Sequence, residues 1–186
     1  VIRISNRKLL EGLFRENGLK DVDKIKRAVR IIDDIEKVDT DITIKNLDEL
    51  GINIEKAEKL LVFFKEIYNR KPKDAVIYLK NLEVNDKQMK EGIEEIEKVV
   101  HGVISNGVDE KYFKVDARIA RGLDYYTGTV YETNLLDHME IGSVCSGGRY
   151  NDLVSTLSGN PEDKYPGVGI SFGLTRLIPT LIKGKY

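Results

Sequence analysis

Apolar and polar residues follow three successive patterns along the chain. Residues 1–4 form a short apolar run that predicts a buried strand, and apolar residues at helical spacing follow it. From residue 21 to residue 104, apolar residues recur every three or four positions among charged ones, which predicts amphipathic helices. After residue 109 the pattern changes to period two, which predicts strands. We interpret the chain as an α+β protein in which residues 21–104 form an all-helical insertion into a core made of residues 1–20 and 105–186.

Capping and breaking residues divide the helical part. Ser5 or Asn6 can cap a first helix, and Gly18 is a natural left-handed stop for it. Asp39-Thr40-Asp41 and Pro72 interrupt the later pattern, so its apolar stripes are short and a compact bundle is favoured over a coiled coil. The predicted buried helix faces carry Leu9, Leu10, Leu13, Phe14, Ile25, Ala28, Val29, Ile32, Ile35, Ala57, Leu60, Leu61, Phe64, Ile67, Ala75, Val76, Leu79, Met89, Ile93, Ile96, Val100 and Val103.

Composition narrows the class of protein. The 186 residues include 30 basic and 31 acidic ones, so any contact with nucleic acid must use a local basic patch. A single cysteine excludes an internal disulfide framework and favours the cytoplasm, and no apolar run approaches the roughly 20 residues of a membrane span. His101 and His138 lack metal-ligand spacing, so no metal site is predicted. The start does not have the pattern of a signal peptide, and the absence of an initiator methionine suggests a piece of a longer protein.

The run from Arg121 to Glu132, here called the signature segment, holds the densest set of candidate chemical groups. It contains one arginine, one aspartate, adjacent tyrosines and two glycines that permit a sharp turn or close approach to a ligand. If its backbone is extended, Tyr125 and Tyr126 point to opposite faces, so that one packs while the other meets a ligand. Taken alone, the same run is also typical of a structural turn with a surface Arg–Asp pair and core tyrosines.

Two later stretches also combine glycines with an arginine. A predicted strand from Ile141 to Cys145 ends in Gly147-Gly148-Arg149-Tyr150, where the glycines permit close approach of a planar or anionic ligand. In the second stretch, from Gly167 to Leu177, small residues at alternate strand positions open a flat surface before a helix. In isolation, an ordinary tight turn explains the first stretch and a glycine-rich core strand explains the second.

Taken in order, the three stretches resemble histidyl-tRNA synthetase, a class II aminoacyl-tRNA synthetase. The signature segment and Gly147–Tyr150 resemble its two histidine-specific motifs, and Gly167–Leu177 resembles class II motif 3. The resemblance implies the second half of a class II catalytic domain, with an antiparallel sheet flanked by helices. It also implies that the helical insertion grips the tRNA acceptor arm. Motif 1, motif 2 and the anticodon-binding domain are not recognised, and Thr175 replaces the usual motif 3 glutamate, so that residue's local ion pair is not expected.

The resemblance implies roles for individual residues. Arg121 is expected to be the catalytic cation that contacts both the histidine carboxylate and the α-phosphate, with Asp124 orienting it. The expected histidine-binding residues are Arg121, Tyr125, Tyr126, Gly147, Gly148 and Tyr150. ATP, which carries Mg²⁺ as part of the substrate, is expected to meet Gly169, Gly173 and Arg176. No prosthetic group is expected.

The implied activity is ATP-dependent activation of histidine to histidyl-adenylate and its transfer to tRNA(His), by an enzyme that is a homodimer when intact. Without motif 2, the isolated chain is expected to be inactive. Four basic residues of the insertion could contact tRNA phosphates, although a solvated helix face explains them equally well: Lys24, Lys26, Arg27 and Arg30. The alternative is a non-catalytic paralogue, namely a regulatory subunit of ATP phosphoribosyltransferase or a sensor of histidine or uncharged tRNA. The presence of Arg121 with Tyr125 and Tyr126 favours the enzyme.

Overall fold

A five-stranded sheet lies at the centre of the structure, a computed structural model that describes residues 1–120 and 125–184. Its strands are β1 (Ile2–Asn6), β2 (Phe113–Val115), β3 (Thr129–Asn134), β4 (Ser143–Tyr150) and β5 (Gly167–Phe172), in the order β2-β1-β3-β4-β5. The α+β class is confirmed. The sheet is mixed and not purely antiparallel, because β1 and β2 are parallel while the other three neighbouring pairs are antiparallel. A long helical crossover joins β1 to β2, and such a connection permits parallel pairing.

Eight α-helices accompany this sheet within the described residues. They are α1 (Arg7–Glu16), α2 (Val22–Asp33), α3 (Thr40–Leu50), α4 (Ile54–Asn69), α5 (Pro72–Lys80), α6 (Lys87–Ser105), α7 (Leu153–Ser158) and α8 (Leu174–Gly184). The predicted cap is confirmed, since Asn6 Oδ1 accepts a hydrogen bond from Lys8 N at 2.9 Å. Gly18 is also left-handed as predicted, with φ of 105°. In this part of the chain, no helix is long and apolar enough to cross a membrane.

Helix α3 occupies a stretch that the apolar pattern predicts as a break. Asp39 caps it, because its carboxylate accepts a hydrogen bond from Asp41 N at 2.8 Å. Thr43, Leu47 and Leu50 are its buried residues. The polar residues that interrupt an apolar stripe are also those that start helices, so the break hides a helix N-terminus.

Strand β2 ends at Val115, although the period-two alternation of apolar residues continues from Tyr112 to Ile119. Asp116 N still donates to Ile4 O at 2.8 Å, which prolongs the ladder by one residue. The Asp116 carboxylate then accepts a hydrogen bond from Arg118 N at 3.2 Å, and Ile119 N donates to Asp116 O at 3.3 Å. An aspartate that bonds the backbone two residues ahead turns the chain, so the strand stops there.

A group of three largely buried charges and one surface charge, here called the Asp116 cluster, joins the segment after α2 to the strands. It consists of Arg3, Glu36, Asp116 and Arg118. The Asp116 side chain is fully buried and accepts hydrogen bonds from Arg3 Nε at 2.7 Å and from Arg118 Nε and Nη2, both at 2.8 Å. Glu36, at the surface, bonds Arg3 Nη2 at 2.9 Å and lies 3.1 Å from Arg118 Nη2. Two guanidinium groups are therefore balanced by two carboxylates.

Alternation along the strands gives the sheet two faces. Tyr131 of β3 is paired with Gly147 of β4 on one side, here called the α6 face because α6 packs against β1 and β3 there. Val130 is paired with Gly148 on the opposite side, here called the tyrosine face. Neighbouring residues of β4 therefore serve opposite sides of the sheet.

Helices α1 and α6 cross closely, with a glycine of each at the contact. A Cβ atom added to Gly12 would lie 2.5 Å from Met89 Cβ, and one added to Gly92 would lie 2.5 Å from Leu9 N. Buried residues from β1, β2 and helices α1 to α6 form one continuous apolar cluster. Helices α1 to α6 thus share one core with strands β1 and β2.

Strand β5 forms an edge of the sheet, and within the described residues it pairs with β4 alone. Three of its apolar side chains point to the α6 face, in register with alternate residues of β4. These side chains are Val168, Ile170 and Phe172, which are 70%, 58% and 59% exposed. This edge combines unpaired backbone with apolar side chains at the surface.

Candidate functional site

Three tyrosines from two distant parts of the chain meet on one face of the sheet. The ring centroids of Tyr125 and Tyr126 are 4.3 Å apart, and those of Tyr125 and Tyr150 are 6.4 Å apart. Tyr125 and Tyr126 do not meet the condition under which they are predicted to point to opposite faces, because the backbone there is not an extended strand. They precede β3 and lie outside regular strand structure, so the alternation rule does not apply to them.

Hydrogen bonds hold the segment after these tyrosines against the end of β4. Thr127 N donates to Arg149 O at 2.9 Å, and Asn151 N donates to Thr127 Oγ1 at 3.1 Å. The two bonds tie the signature segment to the residues that flank Tyr150. The three tyrosine rings are therefore held together by the backbone and not only by ring contacts.

The adjacent glycines of β4 have separate neighbours. Both glycines lie inside strand β4. The sequence pattern instead places them just after a strand that ends at Cys145, where a tight turn would also explain them. A Cβ added to Gly148 would lie 3.0 Å from Tyr126 Cδ1 and 2.7 Å from Thr129 O, so a glycine lets Tyr126 approach the strand. A Cβ added to Gly147 would meet Tyr131 on the α6 face. Of the pair, Gly148 therefore lies beside the tyrosines and Gly147 faces away from them.

Tyr150 lies across two glycines of strand β5. A Cβ added to Gly167 would overlap the Tyr150 ring, and one added to Gly169 would lie 3.5 Å from Tyr150 Cε1. The predicted flat surface of small residues exists, and the ring of Tyr150 rests on part of it. Gly167 was not among the predicted site residues, because its relation to Tyr150 depends on pairing between distant strands.

Tyr131 is a second residue that the motifs do not single out. Its hydroxyl crosses Gly147 on the α6 face and donates a hydrogen bond to Gly169 O at 2.7 Å. This bond ties β3 to β5 across β4. No local signal in the sequence could have found this bond, because it depends on the alignment of β3, β4 and β5.

Arg176 and Gly173 lie at the other end of strand β4. Gly173 N donates to Val144 O at 2.8 Å, and Arg176 Nη1 donates to Ser143 O at 3.0 Å. Ser143 and Tyr150 are the two ends of this eight-residue strand, which separates them by about 23 Å at roughly 3.3 Å per residue. The structure therefore places the predicted ATP arginine and the predicted histidine tyrosines at opposite ends of strand β4.

Burial favours the neutral form of two tyrosine hydroxyls. It raises the pKa of Tyr126 well above the ordinary value, and the hydrogen bond with Tyr125 raises it further. Burial also raises the pKa of Tyr131. A neutral phenol can donate one hydrogen bond and accept others, so these groups can match a ligand that has both donors and acceptors.

The signature segment begins outside the described residues. Arg121 and Asp124 both fall on positions 121–124, so their predicted roles stay predictions. Among residues 1–120 and 125–184, no group of three or more His, Cys, Asp or Glu side chains could hold a metal ion. The basic residues predicted to contact tRNA all lie exposed on α2: Lys24, Lys26, Arg27 and Arg30.

The arrangement of motifs agrees with comparisons against known proteins. The family model described as histidyl-tRNA synthetase matches residues 2–177. The chain belongs to the histidyl-tRNA synthetase family. The resemblance seen in the sequence is thereby confirmed.

Relatives within the histidyl-tRNA synthetase family are longer than this chain. A histidine–tRNA ligase from Clostridium tetani is 48% identical over 185 residues, which cover 99% of this chain and 40% of that protein. The crystal structure of histidyl-tRNA synthetase from Nostoc sp. PCC 7120 is 45% identical with a TM-score of 0.88, covering 100% of this chain and 42% of that one. The chain therefore spans about 40% of the length of the synthetases it matches.

A more distant solved structure has the same fold. It is described as an ATP phosphoribosyltransferase regulatory subunit/histidyl-tRNA synthetase from Bacillus halodurans, with 19% identity and a TM-score of 0.74. It covers 97% of this chain and 44% of its own. At this level of identity the likeness concerns the fold alone.

Proposed function

We propose that the chain is part of a histidine–tRNA ligase, which activates histidine with ATP and Mg²⁺ and transfers it to tRNA(His). The observation that carries the proposal is the meeting of Tyr125, Tyr126 and Tyr150 beside the glycines of β4 and β5. These tyrosines come from the two stretches that resemble histidine-specific motifs. Membership of the synthetase family supports the same reaction.

In this proposal the tyrosine hydroxyls recognise the imidazole ring of histidine. Neutral imidazole has one donor and one acceptor nitrogen, and a protonated phenol can satisfy either. A pocket built from such groups rejects side chains that lack them, because its buried polar atoms would stay unpaired.

Activation joins the histidine carboxylate to the α-phosphate of ATP and expels pyrophosphate. Negative charge gathers where the two groups meet, so the reaction needs a fixed cation there. We assign that role to Arg121, whose guanidinium stays charged and offers forked donors, with Asp124 as its orienting partner. Gly169, Gly173 and Arg176 are assigned to ATP. Gly173 and Arg176 contact the end of β4 away from Tyr150, while Gly169 lies beside the Tyr150 ring. Gly147 would contribute its backbone alone, because a side chain there would face Tyr131 on the α6 face.

In this proposal, catalysis and tRNA contact are assigned to the two predicted domains. Residues 1–20 and 105–186 would form the second half of the catalytic core, and residues 21–104 the insertion that contacts the tRNA acceptor arm. The exposed basic residues of α2 give that contact its positive charge. The intact enzyme would be a cytoplasmic homodimer.

A non-catalytic regulatory subunit is the competing function. The Bacillus halodurans likeness supports its fold, but the chain is 45–48% identical to ligases and 19% identical to that structure. Arg121, Tyr125 and Tyr126 are all present. These observations favour the ligase.

Titration calorimetry of the chain with a non-hydrolysable histidyl-adenylate analogue tests the proposal. Saturable binding is expected, with affinity about tenfold weaker in Tyr126→Phe, because one hydrogen bond to a charged or polar ligand is lost. Tyr112→Phe is the matched control, because Tyr112 is 57% exposed and lies at the other edge of the sheet from the three tyrosines. The affinity of this variant for the analogue should equal that of the wild type.

Two outcomes would count against the assignment. Absence of binding by a chain that circular dichroism shows to be folded would refute a histidine pocket within this chain. Equal affinity of wild type and Tyr126→Phe would refute the role of Tyr126. The chain alone is expected to give no ATP–pyrophosphate exchange, and measurable exchange would show that it is a sufficient catalyst.

A further inference from the structure

One contact from α2 and one from α4 hold the backbone that leads into the signature segment. Asp33 Oδ1, at the end of α2, accepts a hydrogen bond from Ala120 N at 3.2 Å. The ring of Tyr68, near the end of α4, lies under the guanidinium of Arg118 at 4.4 Å from its centroid. Ala120 directly precedes Arg121, the residue that the proposed reaction requires.

The Asp116 cluster fixes the same short stretch from the other side. The side chain of Arg118 is 15% exposed and is bonded by Asp116 while lying 3.1 Å from Glu36. A guanidinium held by two carboxylates and an aromatic ring has few alternative orientations, because its fork must match each partner at once. Arg118 therefore has one well-defined place between the helices and the sheet.

Two further cations, those of Lys114 and Arg3, lie near the ring of Tyr68. Lys114 Nζ lies 4.6 Å from its ring centroid and donates a hydrogen bond to its carbonyl oxygen at 3.3 Å. The guanidinium of Arg3 lies 5.9 Å from the same ring. The Tyr68 ring thus links α4 to β1, β2 and the turn after β2, since each cation is attracted to the electron-rich ring.

We propose that Asp33 and Tyr68 are positioning residues for histidine activation: they set where the backbone enters the signature segment. This inference rests on the proposed function for its catalytic meaning. Its structural content is independent of that function. Asp33 of α2 accepts a hydrogen bond from the amide of Ala120, and the ring of Tyr68 in α4 packs against the guanidinium of Arg118.

The choice of a carboxylate and an aromatic ring makes the inference specific. Ala120 is almost fully buried, so its amide would lose this partner away from water if the Asp33 side chain were removed. Displacing catalytic groups by about 1 Å can slow a reaction by about a hundredfold. Residues that fix the entry to a catalytic loop can therefore affect the reaction without touching a substrate.

Amide hydrogen exchange on the full chain tests the proposal without any ligand. In Asp33→Ala, the amides of Ala120 and Thr127 are expected to exchange at least about tenfold faster, while amides in the middle of α6 change by less than about threefold. Asp33→Asn keeps an acceptor oxygen and should stay within about threefold of wild type at every amide. Asp34→Ala is the matched control, because Asp34 is the next residue and pairs with Lys37 at the surface.

A parallel pair of variants tests the ring. Tyr68→Leu should accelerate exchange at Arg118 and Ala120 about tenfold, while Tyr68→Phe, which keeps the ring face, should leave them near wild type. Unchanged exchange at Ala120 in both Asp33→Ala and Tyr68→Leu would overturn the proposal. Acceleration by the same factor in α6 would also overturn it, because it would mean loss of general stability.

Binding of the histidyl-adenylate analogue separates this inference from the proposed function. Affinity is expected to fall about tenfold in Asp33→Ala and to recover in Asp33→Asn. If exchange responds as expected and the wild-type chain binds no analogue, positioning stands and the proposed histidine pocket of this chain fails. If the analogue binds equally well to wild type and to Asp33→Ala, the positioning role fails and the pocket stands.

Discussion

Replacing Asp116 with alanine should lower the free energy of unfolding by roughly 3–5 kcal/mol, because removing one member of a buried ion group leaves uncompensated charge. The Asp116 side chain is fully buried, and it neutralises the guanidinium groups of Arg3 and Arg118, which are 8% and 15% exposed. In the variant, the exposed carboxylate of Glu36 alone would balance both cations. Urea unfolding followed by circular dichroism measures the change.

Glu55→Ala is the control for Asp116→Ala. Glu55 pairs with Lys59 at 2.6 Å, but both side chains are more than 70% exposed. Its removal should therefore change the free energy of unfolding by less than about 0.5 kcal/mol. A loss below about 1 kcal/mol in Asp116→Ala would mean that the Asp116 cluster does not stabilise the fold as described.

The Asp116 cluster also predicts the direction of a pH effect. Burial alone would raise the pKa of Asp116, but the hydrogen bond from Arg118 and the charges of Arg3 and Arg118 lower it below the ordinary value. A lowered folded-state pKa gives stability that is present above the unfolded pKa of about 3.9 and is lost as the pH falls through the folded value. The stability of the wild type should therefore fall more steeply below about pH 4 than that of Asp116→Asn.

Replacing Gly92 with valine should cost about 3 kcal/mol, at the upper end of the range for overpacked cores. The added Cβ would lie 2.5 Å from Leu9 N and 3.0 Å from Asn6 Oδ1. Neither atom can move freely, because the first is backbone and the second caps α1. Helices α1 and α6 would have to separate, and the loss would appear as a lower urea midpoint.

Gly102 provides the matched control on the same helix. A Cβ added there would meet nothing within 4 Å, so Gly102→Ala should stabilise the chain by about 0.5–1 kcal/mol through its better helix propensity. If Gly92→Val and Gly102→Ala shifted stability in the same direction, the close crossing of α1 and α6 would be refuted.

Local patterns predicted most of the helices, because their apolar stripes meet one shared core. The stripes of α4, α5 and α6 place Phe64, Leu79 and Ile96 at positions that the structure buries. Helix α3 escaped prediction because its cap, Asp39, looks like a break when only polarity is considered. Short-range chemistry is thus readable from the sequence wherever the apolar period is unbroken.

The candidate site was predictable in its residues but not in its arrangement. Tyr126 and Tyr150 could be named from their motifs, yet their relation to Gly148 depends on the pairing of β3 with β4. The Asp116 cluster gives no local signal at all, since Arg3 and Asp116 are 113 positions apart. Contacts of this kind depend on how distant strands align, which periodicity does not encode.

The edge strand β5 has a consequence for handling the purified chain. Unpaired backbone beside exposed Val168, Ile170 and Phe172 is a template on which the strand of another molecule can add. Aggregation should therefore begin at this edge as concentration rises, and it should involve growth of the sheet and not unfolding of the helices. A lysine in place of Val168 would place a charge on the edge and keep the chain dispersed for the measurements described above.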